Sequence, residues 1–188
     1  MASENESLKS LVPLVDAIDR FSTKIGHATA WVALAMVLMQ FTVVMMRYVF
    51  GVGSIMMQES VTYLHAFLFM VGAGYTLLQN GHVRVDIFYG GASDRFKNII
   101  DLFGVILLLM PACLVIGIYS WPYVHNSWKV LEGSKETSGI QGVYLLKSLL
   151  IVFAVLTAIQ GISLALRSLL SLLGVPRHET EHDDVSAA

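Results

Sequence analysis

Charge is missing from long runs of this chain. No Asp, Glu, Lys or Arg occurs between Gly26 and Met46, between Ser60 and Gly81, or between Leu102 and Trp128, and Ile140 to Leu166 is interrupted only by Lys147. Each run matches the roughly 20 residues that a helix needs to cross a hydrocarbon core of roughly 30 Å. A soluble helix would carry a polar stripe on its wet face, whereas these segments are apolar all round. In lipid every backbone amide must find its partner within its own helix. The pattern therefore predicts an all-α integral membrane domain over residues 25–170, with four transmembrane helices at about 25–47, 59–80, 101–128 and 140–167 and no sheet.

The flanks follow a different pattern. At about 100° per residue, Leu8, Leu11, Val12, Leu14, Val15, Ile18, Phe21 and Ile25 share one arc, with Lys9, Asp16, Arg20 and Lys24 opposite. Residues 1–24 thus read as a cytoplasmic segment carrying an interfacial amphipathic helix, beginning or kinking at Pro13. A second interfacial helix is expected in the middle loop at Ser93 to Ile100, with Ser93 as its cap and Phe96, Ile99 and Ile100 on one side. Pro111 is expected to kink the third span. Tyr119, Trp121, Tyr123 and Trp128 at its outer end form an aromatic belt. Residues 171–188 read as a polar cytoplasmic tail.

Eight of the twelve Lys and Arg fall in the two terminal flanks and the middle loop, so the positive-inside rule makes both termini and that loop cytoplasmic. A net charge of -2 argues against a nucleic-acid partner. The single cysteine, Cys113, offers no disulfide framework and reads as a packing residue. The acidic start, Met1-Ala-Ser-Glu-Asn-Glu, does not look like a cleaved leader.

Candidate chemistry inside the spans is sparse. Gln40 and Gln160 lie near the middle of the first and fourth spans, where interhelical hydrogen bonds within the bundle or to a partner helix are favoured over a transport pathway. Lys147 lies about two turns into the fourth span, where snorkelling or a carboxylate or carbonyl partner is favoured over ion translocation. No carboxylate is expected deep within a span, and no internal repeat is visible, which argues against a self-sufficient transporter. Ala154, Ala158, Gly161 and Ala165 offer a small-residue face for a partner helix. His65 and His125 keep open an alternative, a haem-bearing four-helix anchor of an electron-transfer complex. A plain assembly factor is a third reading. Nothing suggests an enzyme, and no cofactor or metal is expected.

Four motifs in order sharpen the picture: Arg47-Tyr48-Val49-Phe50-Gly51 after the first span, Gln58-Glu59-Ser60 opening the second, Gly81-His82-Val83-Arg84-Val85-Asp86 after it, and Glu136-Thr137-Ser138 with Leu145-Leu146-Lys147 entering the fourth. In this order, over roughly Arg20 to Arg167, the chain resembles the small membrane subunit (DctQ-like small permease) of the tripartite ATP-independent periplasmic (TRAP) transporters. The resemblance implies a sodium-coupled symporter that imports an organic acid across the inner membrane of a bacterium or archaeon. Its partners would be a large permease subunit, held stably, and a periplasmic substrate-binding protein, met transiently. It also implies that the small subunit scaffolds the large one without carrying the substrate.

With that resemblance, Arg47, Glu59, His82, Arg84, Asp86, Lys147 and Gln160 are candidate subunit-interface residues, and Glu132, Lys135 and Glu136 are candidates for docking the binding protein. Arg47 and Glu59 are placed to pair across the first outer loop, a tie of only about 0–1 kcal/mol if exposed. His82, Arg84 and Asp86 lie where the chain leaves the membrane and are read as a bend that seats the middle loop.

Overall fold

Proline opens the first helix. Pro13 sits in its first turn, where a missing N–H goes unnoticed, and the helix α1 then runs from Val12 to Tyr48. The computed structural model describes residues 11–82, 91 and 93–175. Among these, four helical stretches are long and apolar enough to cross a membrane, and no strand occurs. The second is α2, Ile55–Leu78. The third joins α3, Asp94–Gly104, to α4, Met110–Lys129, through a π-helical turn at Val105–Leu109. The fourth is α5, Val143–Leu172.

The two helices expected to lie apart in the interface are continuous with the spans. At 37 residues α1 is about 55 Å long, nearly twice the hydrocarbon thickness, and residues 12–24 are simply its first turns. Its apolar arc is divided: Val15 is 1 % exposed, packed against Leu170 and Val175 of the α5 end, whereas Leu14 and Phe21 stay exposed. Gly26, the position least suited to helix, is pinned by Tyr75, because a Cβ there would lie 2.2–2.6 Å from the tyrosine ring. Ser93 does cap α3, its hydroxyl accepting from the Phe96 N–H at 3.4 Å, but α3 runs without a break into the π turn.

That turn answers Pro111. A proline within a helix leaves the carbonyl four residues back without a donor, and a widened turn just before it relaxes the clash. Here the Met110 N–H reaches the Val105 carbonyl, and Pro111 falls in the first turn of α4.

The helix ends are built by local hydrogen bonds. In α2, Asn80 adopts a left-handed φ of 53°, and the Asn80 and Gly81 N–H groups cap the carbonyls of Leu77 (3.2 Å) and Thr76 (2.9 Å). In α5, Gly174 at φ 70° makes the same closure, with the Val175 N–H on the Leu170 carbonyl and the Val175 side chain on Leu170 itself.

Packing places the helices in the order α1, α2, α5, α4. α2 and α5 are central, α1 lies along α2 and meets α5 near the termini, and α4 and α3 lie on α5. Close approach uses small residues: a Cβ on Gly74 would sit 3.3 Å from the Leu156 carbonyl, and one on Gly161 would sit 2.7 Å from Leu109. The small-residue face of the fourth span is thus spent at least partly inside the chain, since Ala154 and Gly161 are buried in it. The outward faces of α1 (Trp31, Leu38, Phe41) and of the π turn and α4 (Leu108, Ile118, Tyr119) remain open and apolar.

Candidate functional site

Three polar clamps tie the helices together, one near the termini and two at the opposite end. The first centres on Asp19, only seven residues before Gly26 and carried inward by the unbroken α1. Its Oδ1 accepts from Ser163 Oγ (2.6 Å), Gln160 Nε2 (3.1 Å) and Arg167 Nη2 (3.1 Å), and Arg167 also reaches Oδ2 at 3.0 Å. Gln160 turns its carbonyl oxygen to Ser22 Oγ at 2.6 Å, so both ends of its amide are used, and it is 0 % exposed. Gln160, Ser163 and Arg167 are three and four residues apart and share one face of α5, as Asp19 and Ser22 do on α1. Asp19 and Arg167 are 16 % and 31 % exposed in their side chains, a part-buried ion pair whose Nε has no partner.

The second clamp corrects the expected Arg47–Glu59 pair. Glu59, in the first turns of α2, instead accepts from Ser134 Oγ and from the Ile140 N–H at 2.6 Å, holding the loop between α4 and α5. That loop is tightly folded here: a Cβ on Gly139 would lie 2.2 Å from Ser134 Oγ and 2.7 Å from a Glu59 carboxylate oxygen. A carboxylate satisfied by two donors nearby has no need of a guanidinium across the first loop. Arg47 is exposed and has no ion-pair partner among the described residues.

The third clamp answers what Lys147 touches. Its ammonium donates to the Glu132 carboxylate and lies 3.9 Å above the Tyr123 ring centroid, leaving the lysine side chain 14 % exposed. The hydrogen bond from Lys147 is the main reason the Glu132 carboxyl is held below the ordinary glutamate range. Trp128 reinforces this corner, its Nε1 donating to Ser148 Oγ at 2.8 Å while its ring meets Tyr144 edge-on at 4.7 Å. Glu132, expected to face a docking protein, is thus engaged by its own chain, while Lys135 and Glu136 are exposed.

The other candidates are scattered. His82 is exposed just past the α2 stop, and Arg84 and Asp86 lie outside the described residues. Gln40 is exposed on α1 and joins none of the clamps. His65 and His125 sit on α2 and α4, helices separated by α5 and without a packed seam; each ring lies on an aromatic neighbour, Phe69 at 4.7 Å and Trp121 at 6.3 Å. Cys113 is buried and lines an apolar groove of about 400 Å³ between α4 and α5, along with Leu114, Ile118, Trp121 and Val155.

Asp19 was the residue that sequence reasoning missed. Its signal was present as matching polar stripes on two otherwise apolar helices, but a stripe does not name the helix it faces.

Comparison with known proteins gives the arrangement a context. The family described as Tripartite ATP-independent periplasmic transporters, DctQ component, matches residues 36–171, well over half of the chain. A "C4-dicarboxylate TRAP transporter small permease protein DctQ" from Vibrio cholerae is 31% identical over 91 residues, which is 48% of this chain and 39% of the relative. The matched part of the chain therefore spans well under half of that relative's length. No solved structure matches. The family is a transporter component and not an enzyme, and with four helices able to span a membrane the chain is a multi-pass membrane protein that belongs to the DctQ component family of the TRAP transporters.

Proposed function

We propose that the chain is the small permease subunit of a TRAP importer in the cytoplasmic membrane of a bacterium or archaeon, with both termini and the middle loop in the cytoplasm. It holds a large permease subunit in a stable complex and contributes a rigid, static scaffold against which the transporting part of that subunit moves. The substrate is an organic acid, a reading supported by the name of the Vibrio cholerae relative. The coupling ion, sodium, comes with the family resemblance.

The observation that carries the scaffold reading is the use made of the buried and part-buried side chains of the three clamps. Asp19, Gln160, Ser163, Arg167, Glu59, Lys147 and Glu132 all bind other helices or the outer loop of this same chain. Side chains tied to one another hold helices in register, whereas a transport path needs groups that can exchange partners. On the outer face Lys135 and Glu136 are the remaining docking candidates for the binding protein, and Glu132 acts through its tie to Lys147.

The test is co-purification and uptake. Affinity capture of this chain in mild detergent, from cells expressing the whole transporter, should return a large multi-helix permease in a one-to-one ratio. Capture of this chain alone would refute the proposal. Charge reversal at Lys135 and Glu136 should raise the binding-protein concentration needed for half-maximal uptake without lowering the maximum, more strongly at low ionic strength.

A further inference from the structure

Polar side chains in the charge-free part of α1 nearly all find partners in this chain. Thr29 and Thr42 donate to carbonyls one turn back, Ile25 at 2.7 Å and Leu38 at 2.8 Å. Gln40 does not: its amide is exposed, and it makes no hydrogen bond to any described residue, in contrast to Gln160, which uses both ends of its amide. Seven residues inside Arg47, Gln40 lies about 10 Å deeper than that charge, within the hydrocarbon. Lipid tails offer it nothing. Helical side chains lean toward the N-terminus of their helix, which for α1 points away from the nearer surface, so the amide is directed inward and does not reach back to the headgroups.

Arg47 is two turns along on the same face of α1, also exposed and also without an ion-pair partner among the described residues; Val37 and Val44, flanking Gln40, are 58% and 41% exposed. We infer that this edge of α1, marked by Gln40, Val37, Val44 and Arg47, is the surface that receives a transmembrane helix of the large permease subunit. That helix carries a hydrogen-bonding group level with Gln40 and an acceptor, carboxylate or carbonyl, level with Arg47. A second copy of this chain is the poorer occupant, since a twofold axis normal to the membrane would set Arg47 against Arg47. The inference rests on the small-permease reading above and adds to it the face that is used.

The experiment uses the whole transporter in cells. A benzophenone amino acid placed at Val37 or at Val44 should, on irradiation, give an adduct of this chain with the large permease, while the same probe at Leu107 in the π turn or at Leu114 on α4 should not. Gln40→Leu should lower the permease recovered with this chain about 3- to 20-fold, the range spanned by single interhelical hydrogen bonds in membranes, and Gln40→Asn should lower it less. Permease adducts arising only from Leu107 or Leu114, adducts of two copies of this chain, or wild-type recovery of permease with Gln40→Leu would each overturn the assignment while leaving the small-permease reading intact. Failure of the unmodified chain to recover any permease would overturn both.

Discussion

Replacing Asp19 with alanine is the sharpest test of how the bundle is held. The change leaves Ser163, Gln160 and Arg167 each without the acceptor they share. Two neutral donors in a fully buried setting would cost about 1–3 kcal/mol each, but hydrogen bonds between membrane helices average nearer 0.6 kcal/mol, so about 1–2 kcal/mol for the pair is the better figure. Breaking a fully buried ion pair costs about 3–5 kcal/mol. Arg167 is 31% exposed and keeps part of its hydration, which brings its share down to about 1–2 kcal/mol. The expected loss is therefore about 2–4 kcal/mol. Asp19→Asn keeps an oxygen for Ser163 and Gln160 and should lose about half as much. Reversible unfolding of the purified chain in mixed micelles, followed by helical circular dichroism, measures it, and a cycle with Arg167→Ala should show a coupling of about 1–3 kcal/mol. If Asp19→Ala stays within about 0.5 kcal/mol of the parent, or if the cycle is additive, the clamp does not hold α1 to α5.

The loop between α4 and α5 offers three further tests. Glu59→Ala should speed amide exchange across residues 134–142, Ile140 most of all because its N–H loses its acceptor, with exchange measured by mass spectrometry on the chain in nanodiscs. Gly139→Ala should loosen the same loop more than Gly133→Ala does, because a Cβ at 139 meets Ser134 and Glu59 whereas at 133 it meets mainly the movable end of Gln141; protease cleavage of the chain in nanodiscs, open from both sides, would rank them. Since Glu132 is held below its ordinary value, its tie to Lys147 is fully present above the ordinary value near 4.5 and is lost as pH falls through the lowered one. Acid should therefore open this corner in the parent, and Glu132→Gln should be open already at neutral pH, as read by the emission of Trp128.

Much of the architecture was legible because lipid makes hydropathy decisive: the charge-free runs locate all four spans. What was not legible is continuity and choice of partner. A change from amphipathic to wholly apolar pattern near residue 25 suggested two helices, but no proline interrupts Val12–Tyr48 after Pro13, and Gly26 is held by Tyr75, so one helix results. Arg47 and Glu59 are close in sequence and opposite in charge, which made their pairing attractive. The folded loop brings Ser134 and Ile140, some 80 residues away, closer to that carboxylate. Lys147 was expected to seek a carboxylate or carbonyl, and the one it found is Glu132 of its own hairpin.

The π turn at Val105–Leu109 also sets a rotational phase. Each residue advances a helix by about 100°, so the one residue accommodated in a widened turn rotates everything before it by that angle relative to everything after. α3 consequently presents Asn98 to Ser171, at 2.8 Å, while α4 presents Cys113 and Val124 toward α5. Straightening this turn into regular α-helix without removing a residue would turn the two halves about 100° from their present alignment, and only one of them could keep its seat on α5.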